Sequence, residues 1–175
     1  MSLSHLLPMP EQKPYKKQDS NIMSTFPELK SDNDLKQIIQ TAFDTDLDID
    51  GSWGYSKELA TVINTTEVPL VQVEHIFASM RAYVEMNMTQ EKEVRYGSIN
   101  LNEISREQIQ SGSLLYDKVT YKCTAMREDI YADFISEYKE NYGNKDFDLT
   151  MHFKKREKAT LHREVIHWFE IHNID

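Results

Sequence analysis

At 175 residues, with 39% hydrophobic and 28% charged side chains, the chain has the length for one compact core and a composition that excludes a disordered protein. Its formal charge of -9 repels polyanions, which argues against general nucleic-acid binding and favours basic or cationic partners. No apolar stretch approaches the ~20 residues of a bilayer span, the first residues lack a basic and apolar leader pattern, and the single Cys123 excludes an internal disulfide. A cytoplasmic domain with no membrane role, held together by packing, is expected.

Residues 1–28 read as a flexible tail: Pro8, Pro10, Pro14 and Pro27 interrupt it and no period is sustained. Residues 29–175 form the expected single domain. Ser31 or Asp32 caps a first helix, about 32–44, in which Leu35, Ile38, Ile39, Ala42 and Phe43 recur at three- and four-residue steps. Ser56 caps a second, about 56–64, carrying Leu59, Ala60, Val62 and Ile63. Val73, Ile76, Phe77, Met80, Val84 and Met88 then keep helical spacing over about 70–88.

The period changes after Gln90. Ile99 and Leu101, then Val119, Tyr121, Cys123 and Ala125, alternate with polar neighbours as half-buried strands do, about 95–104 and 114–126. Ser111-Gly112-Ser113 supplies turn chemistry, so an antiparallel hairpin with a long connection is expected. Ile130, Phe134, Ile135 and Tyr138 mark a helix at about 128–142 that Gly143 stops. Strands at about 147–155 and 161–171 complete the chain; in the last, Leu161, Val165, Trp168 and Phe169 also suit a helix, and its β-branched and aromatic content favours the strand. Helices packed on a small, mainly antiparallel sheet give an α+β fold.

The sharpest site signal is Asp44-Thr45-Asp46-Leu47-Asp48-Ile49-Asp50-Gly51, four alternating carboxylates beyond the first helix. They repel one another at the negative end of that helix, and a cation would relieve the cost. Asp46, Asp48, Asp50 and Gly51 resemble the opening of an EF-hand calcium loop, and the stretch after Ser56 resembles the start of its exiting helix. The resemblance covers roughly residues 35–63. It departs at the twelfth position, where that family needs a bidentate Glu and this chain has Lys57, with Glu58 one residue late. What it implies is a calcium or magnesium site held by Asp46, Asp48, Asp50 and Glu58.

The turn that follows, Gly51-Ser52-Trp53-Gly54-Tyr55, offers Trp53 and Tyr55 as contacts for a ligand or partner, or Trp53 as a lid on the core. His162, His167 and His172 recur every five residues, a spacing that puts neighbours on opposite faces of a strand and suits separate contacts better than a joint metal site. Lys154-Lys155-Arg156-Glu157-Lys158 is the one local excess of positive charge, suited to a phosphate or acidic partner or to protecting a strand edge. With no convincing catalytic set, the expected function is a non-enzymatic protein-interaction or regulatory role, through a protein partner or self-association. Cation binding at residues 44–58 is one alternative. Another is an enzyme whose pocket gathers distant residues such as Glu74, His75, Glu164 and His167.

Overall fold

The structure, a computed structural model, describes residues 26–30 and 34–172. Its elements in chain order are α1 (Leu35–Phe43), β1 (Ile49–Gly51), β2 (Thr61–Ile63), α2 (Leu70–Tyr83), β3 (Tyr96–Ser111), β4 (Leu114–Arg127), α3 (Glu128–Glu140), α4 (Leu149–Ala159) and β5 (Leu161–Ile171). The strands make one sheet in the order β1-β2-β5-β4-β3. Neighbours are antiparallel throughout, except that β2 runs parallel to β5. The fold is α+β, as expected.

Alternation decides which face of the sheet carries the core. Val119, Tyr121, Cys123 and Ala125 of β4 and Val165, His167, Phe169 and Ile171 of β5 point to the same side, where α1 brings Leu35 and Ile39 and α2 brings Val73, Phe77, Ala78 and Ala82. Asp34 caps α1 by accepting from the Gln37 amide at 3.4 Å; Ser31, Asp32 and the tail up to residue 25 lie outside the described residues. Phe26 and Leu29 already pack against the core.

Three expected elements take another form, and β1 stands where the sequence reads as an acidic loop. The helix expected at 56–64 is a single turn, in which Ser56 accepts from the Leu59 amide through both its carbonyl and its hydroxyl, followed by β2. The β-branched run Thr61-Val62-Ile63 pairs with β1 and β5 instead of continuing the turn. The strand expected at 147–155 is α4: Asp148 caps it, accepting from the Met151 amide at 2.9 Å, and its Met, Lys, Arg, Glu and Ala are good helix formers. Met151 and Phe153 mimic a two-residue period, yet His152 between them is the only buried side chain of α4.

β3 runs to Ser111, not 104, so the connection to β4 is the two residues Gly112 and Ser113. Its second half shows no apolar alternation because Arg106 and Gln108 face the carboxylate of Asp117, not a hydrophobic wall.

Gly54 marks the closest approach of the β1–β2 connection to the core. Its φ is +79°, and a Cβ there would lie 2.1 Å from His167 Nε2. The imidazole has nowhere to go: it stacks on Phe169 at 4.1 Å between centroids and meets Phe77 edge-on. Gly54→Ala is therefore expected to destabilise the fold by about 2–4 kcal/mol, from positive-φ strain and overpacking together. Chemical denaturation measures this, and a loss under about 0.5 kcal/mol, the size of an ordinary surface substitution, would show that the approach is not tight.

Candidate functional site

α2 positions the site through an unusual inner face. Glu74, Arg81 and Glu85 follow at i, i+7 and i+11, which places them along one line of the helix, and they are 0%, 2% and 2% exposed. Of the apolar stripe expected from Val73 to Met88, Val73 and Phe77 are buried as expected, but beyond them the inner line turns by one residue, about 100°: Met80 and Val84 are half-buried and Met88 is exposed, while Arg81 and Glu85 are inside. A π turn over Val84–Met88 closes the helix, and Glu85, Met86 and Asn87 are all buried within it.

Arg81 is the centre of the first polar cluster. Its Nη1 donates to the carbonyl of Trp53 and its Nη2 to that of Ile166, each at 2.9 Å. Nε lies 3.3 Å from Glu85 Oε1, and the guanidinium covers the Tyr55 ring at 4.5 Å. Glu85 also accepts from the Tyr55 hydroxyl at 2.7 Å and from Arg163 Nη2. The Tyr55 oxygen in turn accepts from the Leu29 amide at 2.9 Å. Burial holds the phenol well above its ordinary value, and the adjoining Glu85 carboxylate adds to this.

This cluster backs a cavity of about 650 Å³. Phe26, Tyr55, Ile104 and Leu161 give it apolar walls, and Glu85 and Arg163 line it as charged groups. Arg163 lies over the Phe26 ring at 4.9 Å. Glu28, Lys122, His162 and Glu164 complete the lining with both signs of charge.

A second cluster sits nearer the start of α2. Arg106 Nη1 donates to Glu74 Oε2 at 2.6 Å and to Asp117 Oδ2 at 2.8 Å, while Glu103 takes its other side. Burial pushes the Glu74 carboxyl up to about 8, against the pull of Arg106 and with the help of Asp117. Among the described residues, Glu74 Oε1 and the Tyr121 hydroxyl, both buried, have no hydrogen-bond partner.

The residues singled out in the sequence fall in several places. Asp46 and Asp48 flank Lys36 at 3.5 and 3.9 Å. Asp48 also accepts from the Thr65 hydroxyl at 2.6 Å and from the Asn64 amide at 3.4 Å, and Asn64 donates to Asp50 as well, at 2.8 Å. These two hydroxyl and amide partners hold the Asp48 carboxyl below its usual range, with Lys36 contributing less. Glu58 is exposed in the turn before β2, kept low by hydrogen bonds from its own amide and Ser56. Lys36, Asn64 and Thr65 thus offset part of the repulsion among Asp46, Asp48 and Asp50, and β2 stands where the resemblance implied an exiting helix. Among the described residues no three His, Cys, Asp or Glu side chains are placed to hold a metal ion.

Trp53 is buried in the core, stacked on Phe77 at 5.9 Å, whereas Tyr55 lines the cavity. The three histidines separate as strand spacing requires. His162 is exposed on the cavity lining, His172 is exposed near Glu170, and His167 is fully buried. Thr61 donates its one hydroxyl proton to the Ser52 carbonyl at 2.7 Å, so the 3.0 Å contact with His167 Nε2 makes that nitrogen the donor. Burial first, and then Arg81, holds His167 well below its ordinary value, so it is neutral. Glu74, His75, Glu164 and His167 do not share one environment: His75 is exposed against the edge of Tyr121, and Glu164 lines the cavity. Sequence reasoning missed Arg81, Glu85 and Arg163. The one available signal was that three charged residues share a single line on the strongest helix.

Glu74 gives a pH test. A carboxyl raised in the folded state contributes stability that is complete below its unfolded value near 4.5 and is lost as pH rises toward 8. Relative to Glu74→Gln, the parent chain is expected to lose unfolding free energy steadily between pH 5 and 8 and to level off above. A flat difference across that window would mean that Glu74 is ionised throughout. Comparison of the chain with family models, with curated proteins and with solved structures finds no match.

Proposed function

We propose that the chain is a non-enzymatic, regulatory binding domain that holds a small amphipathic molecule in the cavity beside β5. The observation that carries this reading is the cavity itself. Its volume of about 650 Å³ falls within the ~300–1,000 Å³ of small-molecule sites, and its apolar walls with a few fixed polar groups have the composition of such sites. Phe26, Leu161 and Ile104 suit an apolar body, while Arg163, anchored by Glu85, has donors left for a polar head.

The non-enzymatic part rests on the buried reactive groups, since among the described residues no hydrogen bond or ion pair joins Glu28, Lys122, His162 and Glu164 of the lining to one another. Glu85 is committed to Tyr55 and two arginines, His167 is neutral and enclosed, and burial pushes the Cys123 thiol up to about 11. Glu74 has a carboxyl suited to proton transfer near neutral pH, but at 0% exposure it meets no substrate. Saturable binding of the fluorescent probe 8-anilinonaphthalene-1-sulfonate, one per chain, is the expected outcome. Leu161→Trp, which fills the cavity, should weaken it by about tenfold or more. Absence of saturation, or binding indifferent to that substitution, removes the reading.

A protein partner is the second reading, favoured by exposed apolar side chains on the α3–α4 hairpin, where Tyr138, Tyr142, Leu149 and Met151 face outward. In its simplest form this is self-association. Sedimentation velocity should then show a concentration-dependent dimer that Tyr142→Ser weakens, and a monomer at every concentration would exclude it.

A further inference from the structure

The basic run Lys154-Lys155-Arg156-Glu157-Lys158 lies in α4, and Arg156 stands apart from its neighbours. The three lysines are exposed, but Arg156 is half-buried. It lines a cleft of about 420 Å³ between the α3–α4 hairpin and the ends of β3 and β4. Its guanidinium carbon lies 5.9 Å from the Tyr131 ring and 6.0 Å from that of Phe153. These rings hold it in place without neutralising it.

Among the described residues no carboxylate lies within ion-pair distance of Arg156. The nearest candidate on the lining, Glu157, faces His162 at 3.2 Å. A partly desolvated guanidinium with no counter-ion is unfavourable, and an incoming anion relieves it. Hydroxyl and amide donors from β3 and β4 line the same cleft. Ser98 and Thr124 make no side-chain hydrogen bond within the described residues, and Asn100 gives one N–H to the Ser98 carbonyl at 3.3 Å and keeps a second. Ser98 has a φ of +50° at a register shift between Gly97 and Asn100, a bulged position that departs from the regular ladder beside the cleft. Thr160 donates to the Arg156 carbonyl at 2.9 Å, which occupies one of the negative groups at the end of α4.

We infer that this cleft is a separate binding site for a small phosphate monoester, whose terminal oxygens meet Arg156, Thr124, Ser98 and Asn100 and whose organic part lies against Tyr131 and Phe153. A planar guanidinium fork with two hydroxyls and an amide supplies donors in several directions, which suits three phosphoryl oxygens better than the two coplanar oxygens of a carboxylate. The site does not depend on the cavity beside β5.

Calorimetric titration of the full chain with phenyl phosphate, inorganic phosphate and benzoate tests it. Phenyl phosphate is expected to bind one per chain, more tightly than inorganic phosphate, and about tenfold more tightly than benzoate. Arg156→Ala should weaken it by about tenfold or more, and Arg156→Lys by less, since lysine keeps the charge and loses the fork. Thr124→Val, nearly the same size, should weaken it severalfold and carries the test if a thermal melt shows Arg156→Ala to be misfolded. No saturation at millimolar phenyl phosphate, or affinity unchanged in both Arg156→Ala and Thr124→Val, overturns the site. Benzoate binding as tightly as phenyl phosphate overturns the assignment to phosphate.

Discussion

Arg81 brings a full positive charge into the interior and joins three pieces of chain that no continuous sheet connects. β2 pairs with β5 over only Thr61–Ile63 opposite Phe169–Ile171, so the rest of that β5 edge has no neighbouring strand. The Trp168 amide finds the Gly54 carbonyl at 2.9 Å, and Arg81 reaches the Ile166 carbonyl one step along while also holding the Trp53 carbonyl. A side chain from α2 thus does what a longer β2 would have done, satisfying an edge that would otherwise be buried with its polar groups unpaired.

Such a device has a cost, and the π turn answers it. A lone buried guanidinium is destabilising by several kcal/mol, and removing one partner of a buried pair costs about 3–5 kcal/mol. Glu85 lies four residues on, where the helix would deliver it in any case, and the widened turn sets it, Met86 and Asn87 inward together. Met86 packs on Cys123, with sulfur atoms 3.8 Å apart, and Asn87 ties the turn to the start of β3 through the Tyr96 carbonyl at 2.7 Å. The carboxylate is then shared with Arg163 and Tyr55, so a structural requirement at the edge of β5 produces the charged backing of the cavity.

Much of the framework was legible because it follows from one-dimensional patterns. Alternation identified β4, the β-branched run favoured a strand for β5 over the helix that Leu161, Val165, Trp168 and Phe169 also suit, and Gly143, at a φ of +79°, follows the end of α3. β2 was not legible, because three residues become a strand only through partners 10 to 14 residues earlier and 108 residues later. α4 was misread because one buried residue leaves no stripe to detect. The candidate site was mostly hidden for a different reason. Tyr55 drew attention as an aromatic beside glycines, but Glu85 and Arg163 are 78 residues apart, and charged residues in a helix are ordinarily assigned to the solvated side. The aspartate run had the opposite fate: it was the loudest pattern in the sequence, and its partners Lys36, Asn64 and Thr65 are common surface residues that no motif would flag.

β4 and β5 are adjacent antiparallel strands whose paired ends meet at Ala125 and Leu161. A tight turn would suffice to join them. The chain instead leaves the sheet for two helices and returns to the neighbouring position, so the hairpin is a topological detour that strand order does not demand. Removing it on paper leaves the ladder from β1 to β3 unbroken. What the detour adds to the molecule is the enclosure it makes with the strand ends, a compartment with its own polar and aromatic lining whose chemistry can change without renegotiating the central core.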